Sequence, residues 1–133
     1  MESAVAVPLV LRHNLPFLSV RLHQDRQSLV LDSVLVDTGS ASTVLSADSL
    51  FEIGISPRPQ DRLRTLRGIG GTETVFTRTV DRLGVGDLAI DGMEIEVGGM
   101  DYGFEIRGIL GMDFLLRTGA ILDLDRRELR FPD

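Results

Sequence analysis

The feature that most constrains this chain is its rhythm of short apolar runs, rich in Val, Ile, Leu and Thr, separated by Gly, Asp, Asn and Pro. Runs of this length and β-branched content read as strands, and the punctuation between them reads as turns. Val5 to Leu11 and Leu15 to Leu22 flank a turn at Arg12-His13-Asn14. Ser28 to Val36 is a denser strand that runs straight into Asp37, and Ala41 to Leu45 reads as the strand returning from it. Arg62 to Val80 is polar but strand-competent, broken by Gly68-Ile69-Gly70-Gly71, where adjacent glycines can supply the positive φ of a hairpin tip. Val80 to Val85 and Met93 to Val97 read as further strands, with Asp91-Gly92 as the turn between them. Ala120 to Leu124 and Leu129 to Phe131 complete the set, joined by a tight Asp125-Arg126-Arg127-Glu128 turn and stopped by Pro132.

Two short helices interrupt this pattern. Ser46 can cap one that runs towards Gly54, with Asp48 in its first turn, and Met112 to Arg117 reads as another, stopped at Gly119. A chain of 133 residues can bury one substantial core, and it has no linker or internal repeat. The expectation is a single all-β domain over residues 1–133 with one or two short helices.

Composition removes several chemistries. With no Cys there are no disulfides, thiolate zinc sites or thiol nucleophiles. All fourteen basic residues are Arg, so neither a Schiff base nor a phosphate-loop lysine is available. His13 and His23 stand outside any cluster with metal-ligand spacing, so no metal is expected. A net charge of −6 disfavours a nucleic-acid partner. No apolar run approaches membrane-spanning length, and Ala4 to Leu11 lacks the basic start of a signal peptide, so no membrane partner and a cytoplasmic location are expected.

The chemistry is carried by Leu35-Val36-Asp37-Thr38-Gly39-Ser40. A strand ends in a carboxylate, and Gly39 lets backbone and solvent approach it closely. Alone, the triplet also fits an Asp-initiated turn at a strand end. Its neighbours narrow the choice: strands flank it, a glycine-tipped hairpin comes after it, and Ile109-Leu110-Gly111 begins 72 positions after Asp37, just before the second helix.

With these features in order, the chain resembles the retropepsin-like aspartic peptidases, the single-domain group that includes retroviral proteases, from roughly Leu29 to Phe131. The resemblance implies a closed barrel-like fold with Ile109-Leu110-Gly111 packed behind the Asp loop. It implies a catalytic Asp37, a Thr38 that braces the opposite loop across a dimer, and a Gly39 that lines the floor beneath the substrate. Ser40 and the flap residues Gly68, Ile69, Gly70 and Gly71 would contact substrate. No cofactor is implied. The chain carries one Asp-Thr/Ser-Gly motif, so the second carboxylate would come from a second copy, making the active species a homodimer acting on peptide or protein substrates. Val5 to Leu11 and Leu129 to Phe131 are the candidates for a shared terminal sheet. Ser40 departs from the Ala common in single-domain relatives, and its hydroxyl is expected to donate to the Asp37 carboxylate. Tyr102, the only Tyr, lies outside the hairpin and reads as a loop residue, and Asp113 reads as solvated or bonded to its own helix.

Two other functions compete. One is a catalytically weak retropepsin-like module that dimerises or holds a peptide; the intact Asp-Thr-Gly-Ser argues against it. The other is phosphoryl transfer through an aspartyl-phosphate, which wants Mg²⁺ ligands and usually a Lys on a parallel α/β scaffold. This chain has no Lys and no alternation of strands with long helices.

Overall fold

A computed structural model describes residues 5–68, 71–100 and 105–132. Strands β1 (Val5–Pro8), β2 (Val10–Arg12), β3 (Leu15–Gln24), β4 (Gln27–Val36) and β5 (Val44–Ser46) lead into helix α1 (Ala47–Phe51). Strands β6 (Leu63–Gly68), β7 (Gly71–Val85), β8 (Leu88–Gly98) and β9 (Gly108–Leu110) precede helix α2 (Met112–Thr118), and β10 (Ile121–Asp123) and β11 (Glu128–Phe131) come after it. The all-β expectation and both short helices hold. Ser46 caps α1 by accepting from the Ser49 N–H, and Gly119 ends α2 in the left-handed region at φ 65°.

Tight turns set the strand pairing. His13 and Asn14 (φ 53° and 61°) join β2 to β3, and Asp25 and Arg26 (φ 49° and 70°) join β3 to β4. Positive φ at both central residues matches the twist of paired strands. Gly86, at φ 60°, turns β7 into β8. The turn expected at Asp91-Gly92 is therefore not one. Gly92 does take a φ of +63°, but inside β8, where Leu83↔Ile90 and Val85↔Leu88 pair the apolar runs on either side of Gly86. Asp91 instead bonds Arg82 across the hairpin at 2.7 Å, which holds its carboxyl below the usual carboxylate range.

The larger sheet runs β2-β3-β4-β9-β5-β8-β7-β6, and β3 also pairs with β7. That extra pairing closes six strands, β3-β4-β9-β5-β8-β7, into a barrel, leaving β2 and β6 as outer extensions. The barrel interior is filled by Val20, Leu22, Leu31, Val34, Leu45, Leu83, Ile95 and Leu110, each at most 1% exposed. The expected Val5 to Leu11 strand breaks at Leu9. Its side chain turns into the core and its N–H donates to the Arg127 carbonyl at 2.9 Å, so the chain leaves one sheet and enters the other.

The second sheet has the order β1-β11-β10. Both terminal strands thus pair within one chain, Val5↔Phe131 through Pro8↔Glu128. Phe114 of α2 meets Phe131 edge-on, with ring centroids 6.2 Å apart, and so joins this sheet to the barrel. On the barrel's other flank, Arg78 (6% exposed) bonds Asp61 (4%) at 2.7 Å and the Ser56 carbonyl at 2.8 Å. The guanidinium holds the Asp61 carboxyl below its ordinary range and pins the loop leading to β6.

Candidate active site

A bulge in β4 delivers Asp37. The register with β3 slips between Leu18 and Val20, and Ser33 takes a φ of 60°. Bulges bend a strand and re-aim its later residues. Beyond this one, Val34, Leu35 and Val36 run parallel to Gly108, Ile109 and Leu110 of β9. The Asp37 N–H then donates to the Leu110 carbonyl at 3.0 Å, so Ile109-Leu110-Gly111 does pack behind the loop. Val36 and Leu110 are buried, Asp37 is half-buried, and Thr38 and Gly39 are exposed.

Within the loop, the Gly39 N–H donates to Asp37 Oδ1 at 2.8 Å and the Ser40 N–H to the Asp37 carbonyl at 3.2 Å. A Cβ on residue 39 would lie 3.2 Å from Asp37 Oδ1, which explains the need for glycine beside the carboxylate. The expectation for Ser40 is corrected. Its hydroxyl donates to the Ser42 carbonyl at 2.7 Å, not to Asp37, because the loop curls back on itself and brings that carbonyl nearer. A Ser40→Ala change should therefore cost about 1 kcal/mol of stability, the worth of one hydrogen bond. Its pH–rate profile should superimpose on that of the unaltered chain. A displaced profile would mean that the hydroxyl reaches the carboxylate in the working protein.

The loop's other polar groups are taken up by α2. The first amides of a helix have no partner within it. Here Met112 N–H donates to the Ser40 carbonyl at 2.7 Å and Asp113 N–H to the Ala41 carbonyl at 3.2 Å. These bonds occupy carbonyls that a strand would need, so the expected return strand from Ala41 starts only at Val44. Asp113 does more than bond its own helix, where Oδ1 accepts from Phe114 N–H at 2.8 Å. Its Oδ2 accepts from the Thr43 N–H at 3.0 Å and its Oδ1 from the Thr43 hydroxyl at 2.8 Å. That same hydroxyl oxygen accepts from Gly111 N–H at 3.1 Å, and Thr43 is fully buried. Asp113 and Thr43 thus rivet the helix to the far side of the Asp loop. Their separation of 70 positions hid the link from sequence reasoning.

The predicted hairpin exists as β6 and β7, and Gly68 pairs with Gly71 at its end. Ile69 and Gly70 lie outside the described residues, as does Tyr102. One hollow adjoins the Asp loop and a second lies just past it. The first, about 160 Å³, is apolar, formed by Thr38 with Met112, Leu115, Leu116, Ala120 and Leu122. The other, about 230 Å³, is polar and lies between Ser42-Thr43 and the root of the hairpin. A larger hollow of about 580 Å³ lies against β2 and β3, and none of the loop residues lines it. Among the described residues no group of three His, Asp or Glu could hold a metal ion, and no helix is long and apolar enough to cross a membrane.

The sequence profile of aspartyl proteases matches residues 12–114, from the end of β2 into α2. The chain belongs to the aspartyl protease family. A crystal structure of a retropepsin-like aspartic protease from Rickettsia conorii superimposes with a TM-score of 0.68, covering 97% of this chain and 98% of that one. At 18% identity that likeness is one of fold, and the fold is the retropepsin-like barrel. No curated protein sequence matches the chain.

Proposed function

We propose that this family member is an aspartic endopeptidase that acts as a homodimer, with Asp37 of each copy supplying one of two carboxylates. The observation that carries the reading is a single Asp-Thr-Gly loop per chain, held rigidly from behind and exposed in front. Two carboxylates about 3 Å apart cannot both ionise, so such a pair shares a proton. The ionised member takes a proton from water as the water oxygen attacks the peptide carbonyl carbon. The protonated member donates to the carbonyl oxygen. Collapse of the tetrahedral intermediate breaks the C–N bond as the amine leaving group takes a proton from the pair and a hydroxyl of the intermediate returns one, restoring the shared proton.

The surroundings support a second copy. Thr38 opens onto the apolar hollow, and Leu116 (71% exposed), Ile121 (45%) and Leu124 (67%) lie on the same segment of chain. Such exposed apolar side chains suit a protein interface. With β11 already enclosed between β1 and β10 in one chain, a sheet shared between copies would have to add at the open edge of β1 or β10. In this reading Thr38 braces the partner's loop and the β6–β7 hairpin closes over substrate, with Gly68, Ile69, Gly70 and Gly71 near it. Gly39 and Ser40 form the cleft floor. The direct test is hydrolysis of denatured casein over about pH 3 to 7, the range in which such a pair can hold one proton. Activity should fall at least roughly a thousandfold in Asp37→Asn, since an amide cannot take a proton from water. Casein left intact at every pH by a folded dimer would favour a peptide-binding module instead.

A further inference from the structure

The polar hollow of about 230 Å³ between Ser42-Thr43 and the hairpin root has an uneven charge balance. Its lining includes two cations, Arg62 and Arg64, and three carboxylates, Glu94, Glu96 and Asp113. Each Arg is spoken for: Arg62 Nη2 meets Glu94 Oε2 at 2.9 Å, and Arg64 Nε meets Glu96 Oε2 at 2.9 Å. Asp113 is satisfied by three donors, two from Thr43 and one from Phe114. Glu96 is different. It is 5% exposed, yet its Oε1 is buried with no hydrogen-bond partner among the described residues. A carboxylate oxygen left in this state is costly unless something donates to it.

The position of Glu96 shows what could donate. Its N–H bonds the Thr43 carbonyl at 2.9 Å, six residues along the chain from Asp37. Its other flank is Thr77 on β7, and beyond that Arg62 and Arg64 at the foot of the hairpin. The hollow therefore sits between Ser42-Thr43, on the chain leaving the Asp loop, and the foot of the β6–β7 hairpin. Arg64, which pairs with the other oxygen of Glu96, has a side chain that is 56% exposed.

We infer that this hollow is a substrate subsite for a basic side chain, and that Glu96 is the residue that selects it. Its assignment to substrate rests on the peptidase reading; its preference for a cation rests on the unpaired oxygen and the excess negative charge. A site built to hydrogen-bond a donor discriminates strongly against an analogue without one, because its own buried group is then left unpaired. Arg64 acts as the placeholder that an incoming cation displaces or joins.

The test uses peptides that differ only in carrying Arg or Leu at each position flanking the scissile bond in turn. The unaltered chain should favour Arg at one fixed position by about tenfold or more in kcat/KM. Glu96→Gln keeps the shape and removes the charge, and should bring that ratio close to one. Arg64→Ala should enlarge the ratio, a change opposite in sign to that expected from general damage. An Arg-to-Leu ratio that is the same before and after Glu96→Gln overturns the inference and leaves the peptidase reading standing. A second arm needs no turnover: fluorescein-labelled forms of both peptides are titrated onto Asp37→Asn chains, with and without Glu96→Gln. Tighter binding of the Arg peptide that Glu96→Gln abolishes supports the subsite even if no peptide is ever cleaved. Equal binding of both peptides, or binding of neither, overturns it.

Discussion

Asp37→Asn chains in excess should inactivate wild-type chains that are themselves intact. The loop tolerates the change. Asn matches Asp in shape, and its Oδ1 can still accept the Gly39 N–H that fixes the carboxylate at 2.8 Å. The variant should therefore fold and pair normally. A mixed dimer would hold one carboxylate and one amide, and the amide can neither take a proton from water nor share one with its neighbour. With a ninefold excess of variant and free exchange of subunits, roughly one wild-type chain in ten retains a wild-type partner. Activity per wild-type chain should fall to about a tenth, and dilution below the dimer's dissociation range should lower it further. The measurement is peptide hydrolysis at fixed wild-type concentration, alongside a mass measurement showing that subunits have exchanged. Undiminished activity after demonstrated exchange would mean that one chain cleaves alone, and the paired-carboxylate mechanism would have to be abandoned.

Much of this architecture could be read from local signals. The strand before Asp37, the hairpin around Gly68 to Gly71 and both helices are written in short stretches whose periodicity and punctuation act over a few residues. Where two readings of one local signal were open, sequence reasoning failed. Asp91-Gly92 is as good a turn pair as Gly86-Asp87, and only the pairing of Leu83 with Ile90 decides which turn forms. Ser40 failed for a related reason. Three residues after Asp37 its hydroxyl could reach either the carboxylate or the Ser42 carbonyl, and the curl of the loop, imposed by Met112 from the far end of the chain, selects the second. The Thr43–Asp113 rivet and the Arg64–Glu96 pair were out of reach altogether. They join elements far apart in sequence, and a polar residue facing a partner across the fold looks, in sequence, like one facing water.

Gly111→Ala should damage both stability and turnover, although it adds a single methyl group. A Cβ at this position would lie 2.5 Å from the Ser42 carbonyl oxygen, 2.6 Å from the Ser42 carbonyl carbon and 2.9 Å from the Ser40 carbonyl oxygen. All three are backbone atoms, so no side chain can rotate out of the way. The Asp loop must retreat from α2. That retreat stretches the Met112-to-Ser40 and Gly111-to-Thr43 hydrogen bonds, now 2.7 and 3.1 Å. Overpacking of this kind costs about 3 kcal/mol, which for a chain of this size lowers Tm by about 10 °C. Turnover should drop about a hundredfold, because a shift of roughly 1 Å in a positioned group is enough to do so. Gly84→Ala is the control. A Cβ there would meet the Arg21 Nη2 at 3.3 Å, the end of a flexible side chain, with ordinary contacts beyond. That change should cost under about 1 kcal/mol and leave turnover near the wild-type value. Thermal melts and peptide hydrolysis on the two variants separate the cases. If Gly111→Ala behaves like Gly84→Ala, the Asp loop is not seated on the helix, and its rigidity must come from elsewhere.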